Sequence, residues 1–175
     1  MRWVALLRAV NLGGANKVPM AELRELLSGA GFGDVRTYIA SGNVLLDGPR
    51  KRSTVAGELE HLIADAFQVK TTAVMRTPKE LAGVVTRHPF GTDVSRSHVV
   101  FLEGKPGTGA VRRLAAIDHS PDRAHLDGAD VYLQYPAGVH GSRLSAARLE
   151  RLLGVSGTHR NWRTVAALAE LAADA

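Results

Sequence analysis

The sequence predicts an α+β protein built from two ferredoxin-like (split βαβ) subdomains with antiparallel sheets, plus a C-terminal helix. Three observations predict it. Short apolar runs of strand length alternate with longer segments whose apolar residues recur at helical spacing. Their order over residues 1–76 is βαββαβ, the split βαβ plait. The same order starts again at residue 97, after a connecting helix and loop at 77–96, and the last helix closes a second subdomain over 97–175. No residue-level identity links the halves; the repeat is one of pattern.

Taken in order, Arg2–Arg8 is apolar in its middle and charged at its ends, a buried strand. Asn11–Lys17 (NLGGANK) is a glycine-rich loop, and Pro19 suits a first helical turn. Leu23, Leu26, Leu27 and Ala30 follow at helical spacing, with Gly29 and Gly31 as the stop. Val35–Ala40 alternates as a strand, Ser41-Gly42-Asn43 turns, and Val44–Asp47 returns. Val55, Leu59, Leu62, Ile63, Ala66 and Phe67 mark an amphipathic helix, and Thr72–Met75 a strand. Thr77-Pro78-Lys79-Glu80 is a capping box opening a helix with Leu81, Val84 and Val85 inward, which His88-Pro89-Phe90-Gly91 ends. In the second half, His98–Leu102 is a strand and Val111, Leu114, Ala115 and Ile117 a helix. Ala124–Leu126 and Val131–Tyr135 are strands joined at Asp127-Gly128. Ser142 is expected to cap a helix carrying Leu144, Leu149, Leu152 and Leu153, closed by Gly154. Ser156–His159 completes the second sheet, and Asn161 caps a last helix with Val165, Leu168 and Leu171 inward.

Composition narrows the function classes. Of 175 residues, 45% are apolar and 22% charged, enough for a packed core. The absence of cysteine excludes disulfides, thiolate metal sites and cysteine catalysis. The longest run without formal charge, Val131–Ser142, has 12 residues and contains Pro136, too short for a spanning helix of about 20. Arg8 interrupts the opening apolar stretch too early for a secretory pattern, so a cytoplasmic location and no membrane contact are expected. The net charge is +5. No stretch gathers the surplus; the basic cluster Arg50-Lys51-Arg52 sits in a loop, where a solvated turn accounts for it. A duplex binder needs charge concentrated on one element.

Six stretches carry a resemblance: VALLRAVNLGGANKVPMAELRELL, VRTYIASGNVLL, RTPKEL with its following HPF, HVVFL, VYLQYPAGVHGSRLSAARLERLLG and THRNWRTVAALAEL. In order and spacing the chain resembles the bacterial family known as domain of unknown function 1697. The resemblance implies two ferredoxin-like subdomains and no established activity, so no functional residue carries over from it. The chain departs from the family's usual pattern at Ala9, where glycine is common, and at His88, where asparagine commonly precedes Pro89-Phe90.

Two clusters could carry chemistry. The first is Arg8, Asn11, Gly13, Gly14, Asn16 and Lys17, with Asn43 at the same end of the sheet. A strand, a glycine-rich turn and a helix start bring amides and two cations together, which suits a phosphate or carboxylate. Neither nucleotide fingerprint is present, and the competing structural reading is that the glycines make a turn while Arg8 and Asn11 tie down backbone. The second cluster is Arg160, Asn161, Trp162 and Arg163, which could hold an anion or stack on a base; structurally, Asn161 caps and Trp162 packs. Ser142 with His140 and Asp130 lacks a nucleophile elbow. Glu58 and Glu60 face different sides of a helix. The seven histidines show no ligand spacing, so no metal is expected, and no cofactor is implied.

The leading functional expectation is a binding module for an anionic, phosphate-bearing small molecule or nucleic acid. One alternative is a small phosphate or acyl-phosphate hydrolase using the loop after the first strand. The other is a protein-interaction scaffold without ligand. Topology alone cannot choose among them.

Overall fold

The computed structural model describes residues 1–174. In the first half, β1 (Arg2–Leu7), α1 (Met20–Gly29), β2 (Gly33–Tyr38), β3 (Asn43–Asp47), α2 (Arg52–Phe67) and β4 (Ala73–Arg76) form a four-stranded antiparallel sheet in the order β2-β3-β1-β4, with the two helices as crossovers. After α3 (Pro78–Thr86), the second half repeats the plan. Its elements are β5 (Ser97–Leu102), α4 (Ala110–Ala115), β6 (Arg123–Asp127), β7 (Asp130–Gln134), α5 (Ala146–Leu153) and β8 (Gly157–Asn161), and its sheet runs β6-β7-β5-β8. α6 (Trp162–Ala173) follows β8 directly. This is the α+β pair of ferredoxin-like plaits with a C-terminal helix. The chain divides into two compact units, Met1–Ala82 joined by the residues from Leu168 onward, and Gly83–Ala167.

Each plait packs its helices on one sheet face. In the first unit Trp3, Ala5 and Leu7 of β1 meet Val44 and Leu46 of β3, Leu23 and Leu27 of α1, and Leu59 and Ile63 of α2. In the second, Val100 and Leu102 of β5 meet Val131 and Leu133 of β7, Leu114 of α4, and Leu149 and Leu153 of α5. The opposite faces are closed as well: Val4, Leu6, Leu45 and Val74, and likewise Val99, Phe101 and Tyr132, are buried. Burial on both faces explains why VALL and VVFL read as unbroken apolar runs rather than alternating ones. It also takes Phe101 and Tyr132 away from any base-stacking role on a sheet surface.

The registers of β1 with β3 and β4 match those of β5 with β7 and β8, while the β2–β3 register shifts between Gly33 and Arg36 and the β6–β7 register does not. Leu6 faces Asn43 as Phe101 faces Asp130, and Val4 faces Arg76 as Val99 faces Arg160. All four polar partners are buried. In both arginines Nη1 donates to the carbonyl of the preceding residue, Met75 or His159, at 2.9 Å. The repeat therefore extends to polar positions that sequence comparison of the halves does not reveal.

Local signals explain most boundaries. The Thr77 capping box forms: the Glu80 amide donates to Thr77 Oγ1 at 3.2 Å, and the Thr77 amide donates to Glu80 Oε2 at 2.7 Å. Glu80 also accepts two bonds from Arg52 Nη2, at 2.6 and 2.7 Å. Burial pushes the Glu80 carboxyl up, but Arg52 and the Thr77 amide outweigh it and hold it below its ordinary value. Ser142 is not the cap of α5. Its hydroxyl donates to Asp122 Oδ2 at 2.6 Å and accepts the Leu144 amide at 2.9 Å, and Ser145 instead accepts the Arg148 amide. Leu144 accordingly precedes the helix, buried.

Gly42 has φ +77°, and a Cβ there would lie 2.4 Å from Val10 Cγ2 and 2.8 Å from Leu7 Cβ. Gly42→Ala is expected to cost about 2–4 kcal/mol, from overpacking plus left-handed strain. Gly13→Ala, at φ +54° with nothing within 4 Å, is expected to cost only about 1–2 kcal/mol. Urea unfolding of both variants checks the difference; equal costs would show that the tight turn is not constrained by Leu7 and Val10.

Candidate functional site

The loop after β1 folds on itself. Gly13 and Gly14, at φ +54° and +83°, form a two-residue turn closed by the Ala15 amide on Leu12 O at 2.9 Å. Below it the Asn11 amide donates to Asn16 O at 3.0 Å. Asn11, itself at φ +53°, turns its side chain inward: Nδ2 donates to Val18 O and Ala40 O at 2.9 and 2.7 Å, and Oδ1 accepts the Val18 amide at 2.8 Å. Asn16 Nδ2 donates to Ala9 O at 2.8 Å. Arg8 is half-buried, its carbonyl accepting from Thr71 Oγ1 and its amide donating to Thr72 O. Gly13, Gly14 and Lys17 are exposed. Asn43 is fully buried at the start of β3, with Nδ2 donating to Tyr38 O and Ser41 Oγ, both at 3.0 Å. Both asparagine amides thus serve the turn connections of this end of the sheet.

The second cluster has a different geometry. β8 passes into α6 without a loop: Asn161 is the last strand residue, opposite His98 on β5, and Trp162 is the first helical one. Asn161 Oδ1 accepts the Thr164 amide at 2.9 Å, a side-chain cap. The amides of Trp162 and Arg163 then have no acceptor within the helix. Around this helix start Val94, Ser95, Ser97, His98, Asn161, Trp162 and Arg163 line a half-open hollow of about 490 Å³. Arg163 and Asn161 are exposed at its rim, whereas Trp162 is only 9% exposed. Arg160 points elsewhere, with Nη1 donating to Thr158 Oγ1 at 2.7 Å and to His159 O. Burial lowers its guanidinium to about 10.

Behind the hollow stands His88. Its Nε2 lies 2.8 Å from Ser97 Oγ and its Nδ1 3.2 Å from Gly91 O. Its ring packs edge-on against Trp162, with centroids 4.4 Å apart, and against Phe90 at 5.6 Å. The sequence marks His88 only as a departure from the family's usual asparagine; Val94, Ser95, Ser97 and His98 carry no motif at all. His98 and His159 stack in parallel at 4.8 Å beside Tyr135. Burial lowers both imidazoles, His159 to about 4, with the neighbouring His98 and Arg160 adding to it; for His98 the Arg96 backbone opposes the shift. Burial raises Tyr132 to about 12 and pushes Tyr135 up as well. Among the described residues no group of three or more His, Cys, Asp or Glu side chains could hold a metal ion, and no helix is long and apolar enough to cross a membrane.

The fold defines a class: a double-plait α+β protein whose last helix leaves the second sheet without a loop. The chain belongs to the family described as protein of unknown function (DUF1697), whose sequence profile matches residues 1–132. No curated protein matches it. A solved structure, the conserved bacterial protein SP0830 from Streptococcus pneumoniae, is similar over 98% of both chains, with a TM-score of 0.74 and 22% identity, a likeness of fold.

The stacked histidines generate a pH dependence. His159 is held neutral in the folded state while the unfolded chain protonates near the ordinary value of 6.5. Its contribution is therefore complete above about pH 6.5 and is lost as pH falls toward 4. The expected loss between pH 7 and 4 is on the order of 3 kcal/mol. His159→Gln should flatten that part of the curve in urea unfolding at a series of pH values. An unchanged slope would show that His159 is not its source.

Proposed function

We propose that the protein binds a small anionic molecule, bearing a phosphate or carboxylate, in the hollow at the start of α6. The observation that carries this reading is the convergence there of Arg163, the capped N-terminus of a 12-residue helix and a concavity of about 490 Å³. Helix N-termini favour negative charge through their free amides and macrodipole, and the volume is that of a small-molecule site. Three residues singled out from the sequence, Asn161, Trp162 and Arg163, lie on its wall.

The loop after β1 supports a hydrolase less well. Asn11 and Asn43, the amides such a site would use, are bonded to Val18, Ala40, Tyr38 and Ser41. A nucleic-acid reading loses its stacking platform with Phe101, Tyr132 and Trp162 buried. The proposal carries a cytoplasmic location, in keeping with a cysteine-free sequence, in a bacterial cell as the family resemblance implies.

Calorimetric titration of the intact protein with inorganic phosphate and with citrate, at low and at physiological salt, tests the reading. Binding that weakens with salt is expected, and Arg163→Ala should weaken it about tenfold or more, the worth of a hydrogen bond to a charged group. Binding unaffected by Arg163→Ala, or none at low salt, would overturn it.

A further inference from the structure

We propose that Ser97 is an acyl-accepting nucleophile activated by His88, so that the hollow at the start of α6 performs serine ester chemistry on small substrates. This rests on the hollow proposed above as a binding site, and goes beyond binding to reaction.

The argument begins with the imidazole. His88 Nδ1 lies 3.2 Å from a carbonyl, Gly91 O, and a carbonyl accepts; Nδ1 therefore carries the proton. Nε2 is then a lone pair, and it lies 2.8 Å from Ser97 Oγ, so the serine hydroxyl donates to it. Nucleophile, base and orienting acceptor stand in the relation that general-base activation of a hydroxyl requires, with a main-chain carbonyl as the third member. The ring is held from the sides by Trp162 and Phe90, which leaves it little freedom to swing away. Ser97 opens β5, and its amide donates to Val94 O at 3.0 Å, which pins the residue on the wall of the hollow.

The same hollow holds groups that suit the charge developed on attack. The first-turn amides of Trp162 and Arg163 have no acceptor in the helix, and Arg163 stands at the rim. Ser97 is 1% exposed, so only a slender acyl group can reach it, which selects short-chain esters over bulky ones.

The step balances within the site. Ser97 Oγ bonds to the ester carbonyl carbon as the bond to the leaving alkoxide breaks. The hydroxyl proton passes to His88 Nε2 and on to the alkoxide. Water then attacks the acyl-serine; its proton returns through Nε2 to Ser97 Oγ, and the carboxylic acid leaves.

The test uses methanesulfonyl fluoride, a small neutral reagent that loses fluoride on serine sulfonylation, with the adduct read by intact mass and peptide mapping. One methanesulfonyl group on Ser97 is expected, absent from Ser97→Ala. His88→Asn keeps a side-chain hydrogen-bonding partner at a position where the family commonly has asparagine, but it removes the base. Labelling should slow at least about a hundredfold, and turnover of p-nitrophenyl acetate should slow with it. His88→Asn is expected to melt in a cooperative thermal transition as the wild type does, so the result stands even where Ser97→Ala does not fold. No adduct on Ser97 in the folded wild type, or equal labelling rates with and without His88, would overturn the proposal and leave a buried structural hydrogen bond. Phosphate calorimetry reads charge recognition without any covalent bond, so failure there and failure here are separate results.

Discussion

Asn161 is the residue on which the second unit's geometry turns. It ends a strand and starts a helix at once: its backbone pairs with His98, and its side chain caps α6 through the Thr164 amide. A chain that leaves a sheet and enters a helix with no intervening loop has its direction fixed by that one residue. The fixed direction puts Trp162 against His88, leaves Arg163 at the rim and brings the α6 N-terminus beside Ser97. Without the cap, the first turn would lose an acceptor for one of its orphan amides, and the wall of the hollow would lose its definition.

The two clusters that sequence reasoning offers as anion sites differ in what their polar groups do. Around Asn11 the amides and side chains close a small hairpin and tie it to Ala40. Around Asn161 the side chain caps a helix, and Asn161, Trp162 and Arg163 line a concavity. The same residue type, asparagine, does both jobs: Asn11 ties its loop to the next turn connection, and Asn161 caps the helix that follows it. Arg76 and Arg160 make a related point. Their matching registers and matching bonds to the preceding carbonyl mark them as framework of the plait, although Arg160 lies three residues from Arg163.

Much of the fold was legible because its signals are local. The order βαββαβ, the Thr77 capping box, the Asn161 cap and the Asp127-Gly128 hairpin each depend on residues a few positions apart. The sequence places the α5 cap at Ser142, whereas Ser145 holds it, because what occupies Ser142 is Asp122, 20 residues earlier. The hollow was legible in part: Asn161, Trp162 and Arg163 stand together in the chain. Ser97 and His98 carry no motif, and the link from Ser97 to His88 exists only once the segment between them doubles back on the start of β5. Buried polar residues such as Asn43 and Arg160 look like surface residues in a sequence, since their burial follows from sheet register rather than from their type.

The most direct test of this account is amide chemical-shift mapping of the intact protein, titrated with inorganic phosphate at low salt. The account requires the shifts to concentrate at residues 94–98 and 161–164. Shifts centred on Asn11–Lys17, with 161–164 unmoved, would contradict it and return the site to the loop after β1.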